Sequence, residues 1–209
     1  MDVSNPGDER TAAFYRARAA AVVERYESVP PRLADRLAAL IPPGARALDV
    51  GAGSGRDLAR LLGRGLDAYG VEPSPELRAE AVRRHPELAG RIADARLPDV
   101  GAPFGGRFDG VLLSAVLMHV PAEALPQAAA SLAELLAPGG YLLSSVPIHR
   151  PDLDAEHRDA SGRLFTPIAA EEIRALFGGI GLALLDAVVT PDDFGRSGHE
   201  WLETLFAKR

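Results

Sequence analysis

The sequence predicts an α/β fold: a doubly wound, mainly parallel seven-stranded sheet with an antiparallel hairpin at one edge, helices on both faces and a helical N-terminal cap. Three observations carry this. After "PPG" at 42–44 the chain alternates short β-type runs with longer helical runs, the texture of crossover connections. The stretch "ALDVGAGSGRDLARLL", residues 47–62, places Gly51, Gly53 and Gly55 where an apolar strand hands over to a helix. The last two apolar runs follow each other with only "TPDDFGRSGHE" between them, so they pair as a hairpin.

Taken in order, residues 1–10 are polar and expected to fray. The spacing over 12–40 suits two helices broken at Val29-Pro30-Pro31, because proline disfavours helix in the residue before it and can open a new one. Strands are predicted at 47–50, 68–72, 91–93, 108–114, 141–146, 182–189 and 201–206, and helices at 56–62, 75–84, 123–136 and 169–177. The fourth strand begins "FDGVLLSAVL", apolar almost throughout, as a strand buried on both faces should be.

A chain of 209 residues with 47% hydrophobic and 25% charged side chains is expected to form one well-buried domain. Its parts are a cap over 1–44, a ligand-binding core over 45–147, and a loop, helix and edge hairpin over 148–209. With no cysteine there is no disulfide framework, thiol nucleophile or cysteine-bound zinc. A net charge of -6 without a basic cluster argues against a nucleic-acid partner. No apolar run reaches the length of a membrane span, and "MDVSNPGDER" lacks the features of a secretory signal, so a cytoplasmic protein is expected.

In an open α/β sheet, ligands sit beyond the carboxyl ends of the strands where the strand order reverses. A glycine turn there bends tightly, lets a ligand reach the backbone and points helix-start N–H groups at it. Glu72 ends the second strand, where such folds place a carboxylate on ribose hydroxyls. Asp94 follows the third strand in "RIADARLP", within reach of an adenine edge, with Asp99 nearby as a rival. The dinucleotide fingerprint G-x-G-x-x-G is not met, since position 56 is Arg56. Asp49 would also sit poorly beside a pyrophosphate and well beside an ammonium and a sulfonium.

The segments "ALDVGAGSGRDLARLL", "YGVEPSPELRAEA", "IADARLP", "FDGVLLSAVLMHV" and "LAPGGYLLSSVP", in this order and spacing, resemble the seven-stranded, Rossmann-like class I S-adenosylmethionine-dependent methyltransferases. The resemblance is tight over 45–147 and looser through "FTPIAAEEIRALFGGIGLALLD" to the closing hairpin. It implies that Asp49, Gly51, Gly53 and Gly55 line the methionine part of S-adenosylmethionine. Glu72 would hold the ribose, Asp94 and the backbone of Ala95 the adenine, and Ser114 would lie beneath the sulfonium. Ala52 and Pro73, in the same two turns, are set on the cofactor with them.

Methyl transfer from a sulfonium is an in-line displacement on an activated carbon, so alignment and water exclusion supply much of the acceleration, and a base helps only where the acceptor keeps its proton. His119, after the fourth strand, and His149, after the fifth, are the candidate bases. His85 reads as a favourable charge at a helix C-terminus. No histidine has metal-type spacing with carboxylates, so no metal is predicted. Tyr15 and Tyr26 either close over the cofactor as a lid or pack the cap onto the domain.

The polar segment 149–167 is expected to wall an acceptor pocket, with Arg150 or Arg163 available for an anionic group. A small-molecule methyl acceptor is expected, through oxygen, nitrogen or carbon, on a monomer or homodimer. Two alternatives stay open: a nicotinamide-dependent oxidoreductase, and a non-catalytic S-adenosylmethionine-binding regulator.

Overall fold

The computed structural model describes residues 7–209, and six of the ten residues expected to fray lie outside that range. Three of the other four are ordered in the first helix or its cap: Asp8 caps it through Thr11 N at 2.8 Å, and Glu9 and Arg10 begin it. The cap holds three helices, α1 (Glu9–Ala17), α2 (Ala19–Glu27) and α3 (Arg32–Ala38), against two expected. The extra break falls at Arg18, whose φ of -124° is not helical, and the break at the prolines stands as predicted.

The sheet contains β1 (Arg46–Val50), β2 (Asp67–Val71), β3 (Ile92–Ala93), β4 (Phe108–Ser114), β5 (Leu136–His149), β6 (Leu182–Pro191) and β7 (Glu200–Lys208). Its order is β3-β2-β1-β4-β5-β7-β6. The first five pair in parallel, while β7 runs antiparallel to both β5 and β6, so the closing hairpin lies at one edge as expected. Helices α4 (Arg56–Gly63), α5 (Pro75–Arg84), α6 (Leu125–Leu135) and α7 (Ala170–Gly178) connect the strands.

The period-two alternation of strand residues sorts the core into two layers. On one face Ala47, Leu112, Leu143 and Leu205 pack against Leu37 of α3 and Leu58 and Leu61 of α4. On the other, Leu48, Val111, Leu113, Leu142 and Phe206 pack against Leu132 of α6 and Phe177 of α7. Each fully buried leucine contributes about 1.5–3 kcal/mol of transfer free energy. The cap adds a small cluster, Ala19, Val22 and Val23 of α2 on Leu77 of α5.

One strand, β5, differs from expectation by several residues at both ends, since it runs to His149, past the predicted 146. β5 begins at Leu136, five before the predicted 141, because Leu136 pairs with Phe108 and a bulge between Phe108 and Gly110 carries "LAPGG" into the ladder. The strand order reverses between β1 and β4, which puts the glycine turn and the segment after Ser114 side by side at the carboxyl edge. Among the described residues no helix is long and apolar enough to cross a membrane, and no group of histidines and carboxylates is arranged to hold a metal.

Candidate functional site

The glycine turn leaves β1 with Gly51 N and Ala52 N both donating to Val71 O, at 2.8 and 3.0 Å. Two of its glycines are required for different reasons. At Gly51, φ is +75° and a Cβ would stand 2.5 Å from Val116 Cγ2. At Gly55, φ is +81° and a Cβ would meet Leu88 Cδ1 at 2.5 Å and Ala81 Cβ at 3.2 Å, so this position packs α4 onto α5 and its neighbour. Gly53 N donates to Glu72 Oε2 at 3.1 Å, and Ser74 N to Glu72 Oε1 at 2.9 Å. Burial raises the Glu72 carboxyl above its ordinary pKa, against these two bonds.

Asp49 lies behind the turn, 1% exposed, and its Oδ2 has no hydrogen-bond partner. Burial first, and the neighbouring Asp57 carboxylate second, push its pKa well above the usual range. Leu58 N–H supports the carboxylate, but a buried carboxylate with one unpartnered oxygen is costly unless a cation or donor completes it. Arg56 opposes that shift and serves a second purpose. Its guanidinium donates to Tyr26 O at 3.0 Å and Val29 O at 3.2 Å while pairing with Asp57, so it ties the end of α2 to the turn.

Two cavities meet at this edge. The first, about 180 Å³, is lined by Gly51, Gly53, Glu72, Pro73, Ala95 and His119, with α1 closing it. The second, about 170 Å³, lies under the cap between segment 149–167 and the β6–β7 loop, with Arg150, Arg163, Phe165, Phe194 and Trp201 in its wall. Tyr15, Tyr26, Ser114 and Ala115 line both. These four residues form the partition between them.

A directed chain of hydrogen bonds runs through that partition. Leu164 O can only accept, so His119 Nδ1 carries the hydrogen across the 2.6 Å contact. Nε2 is then an acceptor, and the Tyr15 hydroxyl at 3.0 Å donates to it. Tyr15 oxygen in turn faces Tyr26 hydroxyl and Arg163 Nη1, each at 3.4 Å. Burial pushes His119 down to about 4, against the bond to Leu164, and pushes the Tyr15 phenol well up, so both are neutral at pH 7. Burial works against charge on Arg163, yet the Tyr15 and Tyr26 oxygens and the Asp159 carboxylate hold its proton. Asp8 pairs with Arg158 at 2.7 Å, and Leu164 N donates to Thr11 Oγ1 at 2.9 Å, which fastens α1 to the 149–167 segment.

Of the residues singled out in the sequence, Gly51, Gly53, Glu72, Pro73, Ala95, Ser114 and His119 line the first cavity. Asp49 sits directly behind it, whereas Ala52 and Gly55 are packed away from it, Ala52 against Gly70. Asp94 is exposed at its margin, 3.3 Å from Arg78 Nη2, and the rival Asp99 is exposed and accepts from Gly101 N. His149 is exposed and lines neither cavity. Sequence reasoning missed the two-cavity partition and the tie made by Arg56; the only signal for the latter was an arginine where a third glycine was sought.

The sequence profile of the methyltransferase domain family matches residues 22–187. The chain belongs to that family. Among the curated relatives this methyltransferase domain matches, protein-L-isoaspartate O-methyltransferase of Gloeobacter violaceus is 36% identical over 105 residues, 49% of this chain and 51% of the relative. Ubiquinone biosynthesis O-methyltransferase of Xanthomonas axonopodis pv. citri is 39% identical over 123 residues, 56% of this chain and 48% of the relative. The chain thus spans about half the length of these relatives. In fold, the domain resembles the Burkholderia thailandensis 1,6-didemethyltoxoflavin-N1-methyltransferase, solved with 1,6-didemethyltoxoflavin and S-adenosylhomocysteine. The TM-score is 0.69 at 23% identity, covering 100% of this chain and 92% of the other. N-methyltransferase NodS of Bradyrhizobium japonicum, solved with S-adenosylhomocysteine, gives 0.67 at 17% identity, covering 96% and 99%.

Proposed function

We propose that the chain transfers the methyl group of S-adenosylmethionine to a small molecule held in the second cavity. The observation that carries this reading is the partition: a cavity edged by the glycine turn and Glu72 shares Tyr15, Tyr26, Ser114 and Ala115 with an adjoining, aromatic-lined cavity. The residues present suit the cofactor. The unpartnered Asp49 Oδ2 favours a cation, Glu72 offers carboxylate oxygens to ribose hydroxyls, Ala95 lies where the adenine is expected, and the bare Gly51 backbone permits close approach. When bound, that cofactor supplies a methyl group on a sulfonium, already activated for in-line displacement.

The protein's own part is alignment and proton removal. An acceptor hydroxyl or amine between Tyr15 and Tyr26 would donate to the Tyr15 oxygen, whose bond to Tyr26 is long enough to exchange. As the acceptor loses its proton, Tyr15 passes its own to His119 Nε2 across the 3.0 Å contact. His119 therefore serves as base at one remove, and Asp94 contributes at the cavity margin beside the adenine edge. His149 takes no part in this reading, being exposed outside both cavities.

The reading also takes the protein to be cytoplasmic, to act as a monomer or homodimer, and to have neither nucleic acid nor membrane as partner. The net charge of -6 without a basic cluster supports the last point as regards nucleic acid. The test is calorimetry with S-adenosylhomocysteine, followed by a metabolite screen with isotopically methyl-labelled S-adenosylmethionine. Binding followed by a labelled product supports the proposal. Binding without transfer across a broad panel favours a non-catalytic binder, and no binding at all refutes the cofactor assignment.

A further inference from the structure

The second cavity also carries information about what it holds. Arg150 lines it with a side chain only 5% exposed. Its Nε and Nη2 are spent on Asp152, each at 2.7 Å, while its Nη1 makes no hydrogen bond to any described residue. In a guanidinium that lines a cavity, an unbonded nitrogen is a donor available to a ligand held there. Arg163 lines the same cavity and spends Nε and Nη2 on Asp159, which leaves only the long 3.4 Å contact from Nη1 to Tyr15.

Phe165 lies against both arginines. The Arg150 guanidinium carbon is 4.0 Å from its ring centroid and that of Arg163 is 5.3 Å away. Phe14 backs Arg163 at 4.6 Å. Aromatic faces and guanidinium planes in one wall suit a flat π-system, which stacks on either. Each of the two arginines already has one carboxylate partner, so the wall as built is close to electrically balanced. The bound cofactor would add one net positive charge, which a single anionic group offsets and a doubly charged phosphate exceeds.

Building on the methyl-transfer reading, we infer that the acceptor is a flat ring bearing one carboxylate. The carboxylate takes Arg150 Nη1, with Arg163 beside it, and the ring reaches toward the Tyr15–Tyr26 hydroxyls where its nucleophile is methylated. Arg163 links the two ends, since it contacts Phe165 on one side and the Tyr15 hydroxyl on the other.

The experiment uses the full chain saturated with S-adenosylhomocysteine, and calorimetry with paired probes: benzoate against benzamide, 4-hydroxybenzoate against 4-hydroxybenzamide, and indole-3-carboxylate against its amide, with phenyl phosphate as a further arm. At least one carboxylate is expected to bind tenfold or more tighter than its amide, as a charge-assisted bond to a buried guanidinium provides. In Arg150→Gln that preference should fall to within twofold while S-adenosylhomocysteine affinity stays within twofold, which also shows the variant is folded. Arg150→Lys, which keeps the charge without the fork, should retain part of the preference.

Carboxylates no tighter than their amides, or a preference that survives Arg150→Gln, overturn the inference and leave the methyl-transfer reading standing. Phenyl phosphate binding above every carboxylate overturns the single-charge assignment. Failure of S-adenosylhomocysteine to bind at all defeats the underlying reading instead.

Discussion

The two cavities are built by different means. The first has a backbone edge at strand ends, the glycine turn after β1 and the bend after β4, joined by the carboxylate after β2 and closed by α1. The second is bounded by side chains from the cap, the 149–167 segment and the β6–β7 loop, held in place by ion pairs such as Arg158 with Asp8 and Arg196 with Asp192. A backbone-built wall depends on conformations that few residues can adopt, so it leaves a short, readable sequence pattern. A wall of side chains can be made from many sequences, which suits a pocket that distinguishes acceptors and hides it from pattern reading.

The sharpest way to break this contrast is to substitute within the glycine turn. Gly51→Ala adds left-handed strain and a Cβ that drives Val116 toward the first cavity. Its S-adenosylhomocysteine affinity should fall roughly a hundredfold, about 2.7 kcal/mol. Gly55→Ala, in the same motif, meets Leu88 and Ala81 instead. It should cost about 3 kcal/mol of folding stability from strain and overpacking, read by denaturant titration, with affinity per folded molecule little changed. Equal effects of the two on affinity would mean that the motif acts as one unit.

Next in size is Tyr15→Phe, which removes the hydroxyl of the proposed relay and leaves the ring. Turnover should drop roughly a hundredfold, in the range of lost general base catalysis, with S-adenosylhomocysteine affinity within twofold. A parallel loss of affinity would place Tyr15 on the cofactor rather than at the partition.

Asp49 offers a smaller, thermodynamic signal. Burial and Asp57 keep its carboxyl protonated more than usual, and a bound cation favours the ionised form. Where the carboxyl is part-protonated, binding of S-adenosylmethionine should therefore release protons, seen as a calorimetric enthalpy that changes with buffer ionisation enthalpy. Asp49→Asn should abolish that dependence.

The mildest effect is that of pH on stability. The folded His119 has a pKa of about 4, below the ~6.5 of an exposed imidazole, so the unfolded chain takes up a proton that the folded chain refuses. Its contribution is complete above pH ~6.5 and drains as the pH falls to about 4. Replacing His119 with Gln should flatten that part of the profile in denaturant titrations.

Much of the sheet was legible because its signals are local. The helix at 75–84 was placed to the residue, since Ser74 caps it through Leu77 N and proline opens it. Glu72, which lines the first cavity, could be singled out because it directly follows a strand. Two kinds of feature escaped. Gly55 and Ala52 look in sequence like ligand contacts, but spacing cannot tell a glycine that admits a ligand from one that admits a leucine. His149 lies one strand-end from the site and is still exposed, because β5 runs on past the edge to pair with Glu200. The second cavity depends on meetings such as Tyr15 with His119, 104 residues apart, which no short pattern records.

The most direct test is a crystal structure of the chain with S-adenosylhomocysteine. The expected result is a sulfur at the partition, facing the Tyr15 and Tyr26 hydroxyls above Ser114, with the ribose on Glu72 and the adenine beside Ala95. A sulfur turned away from the cavity that holds Arg150 and Phe165, or a ligand bound without touching Glu72, would contradict it.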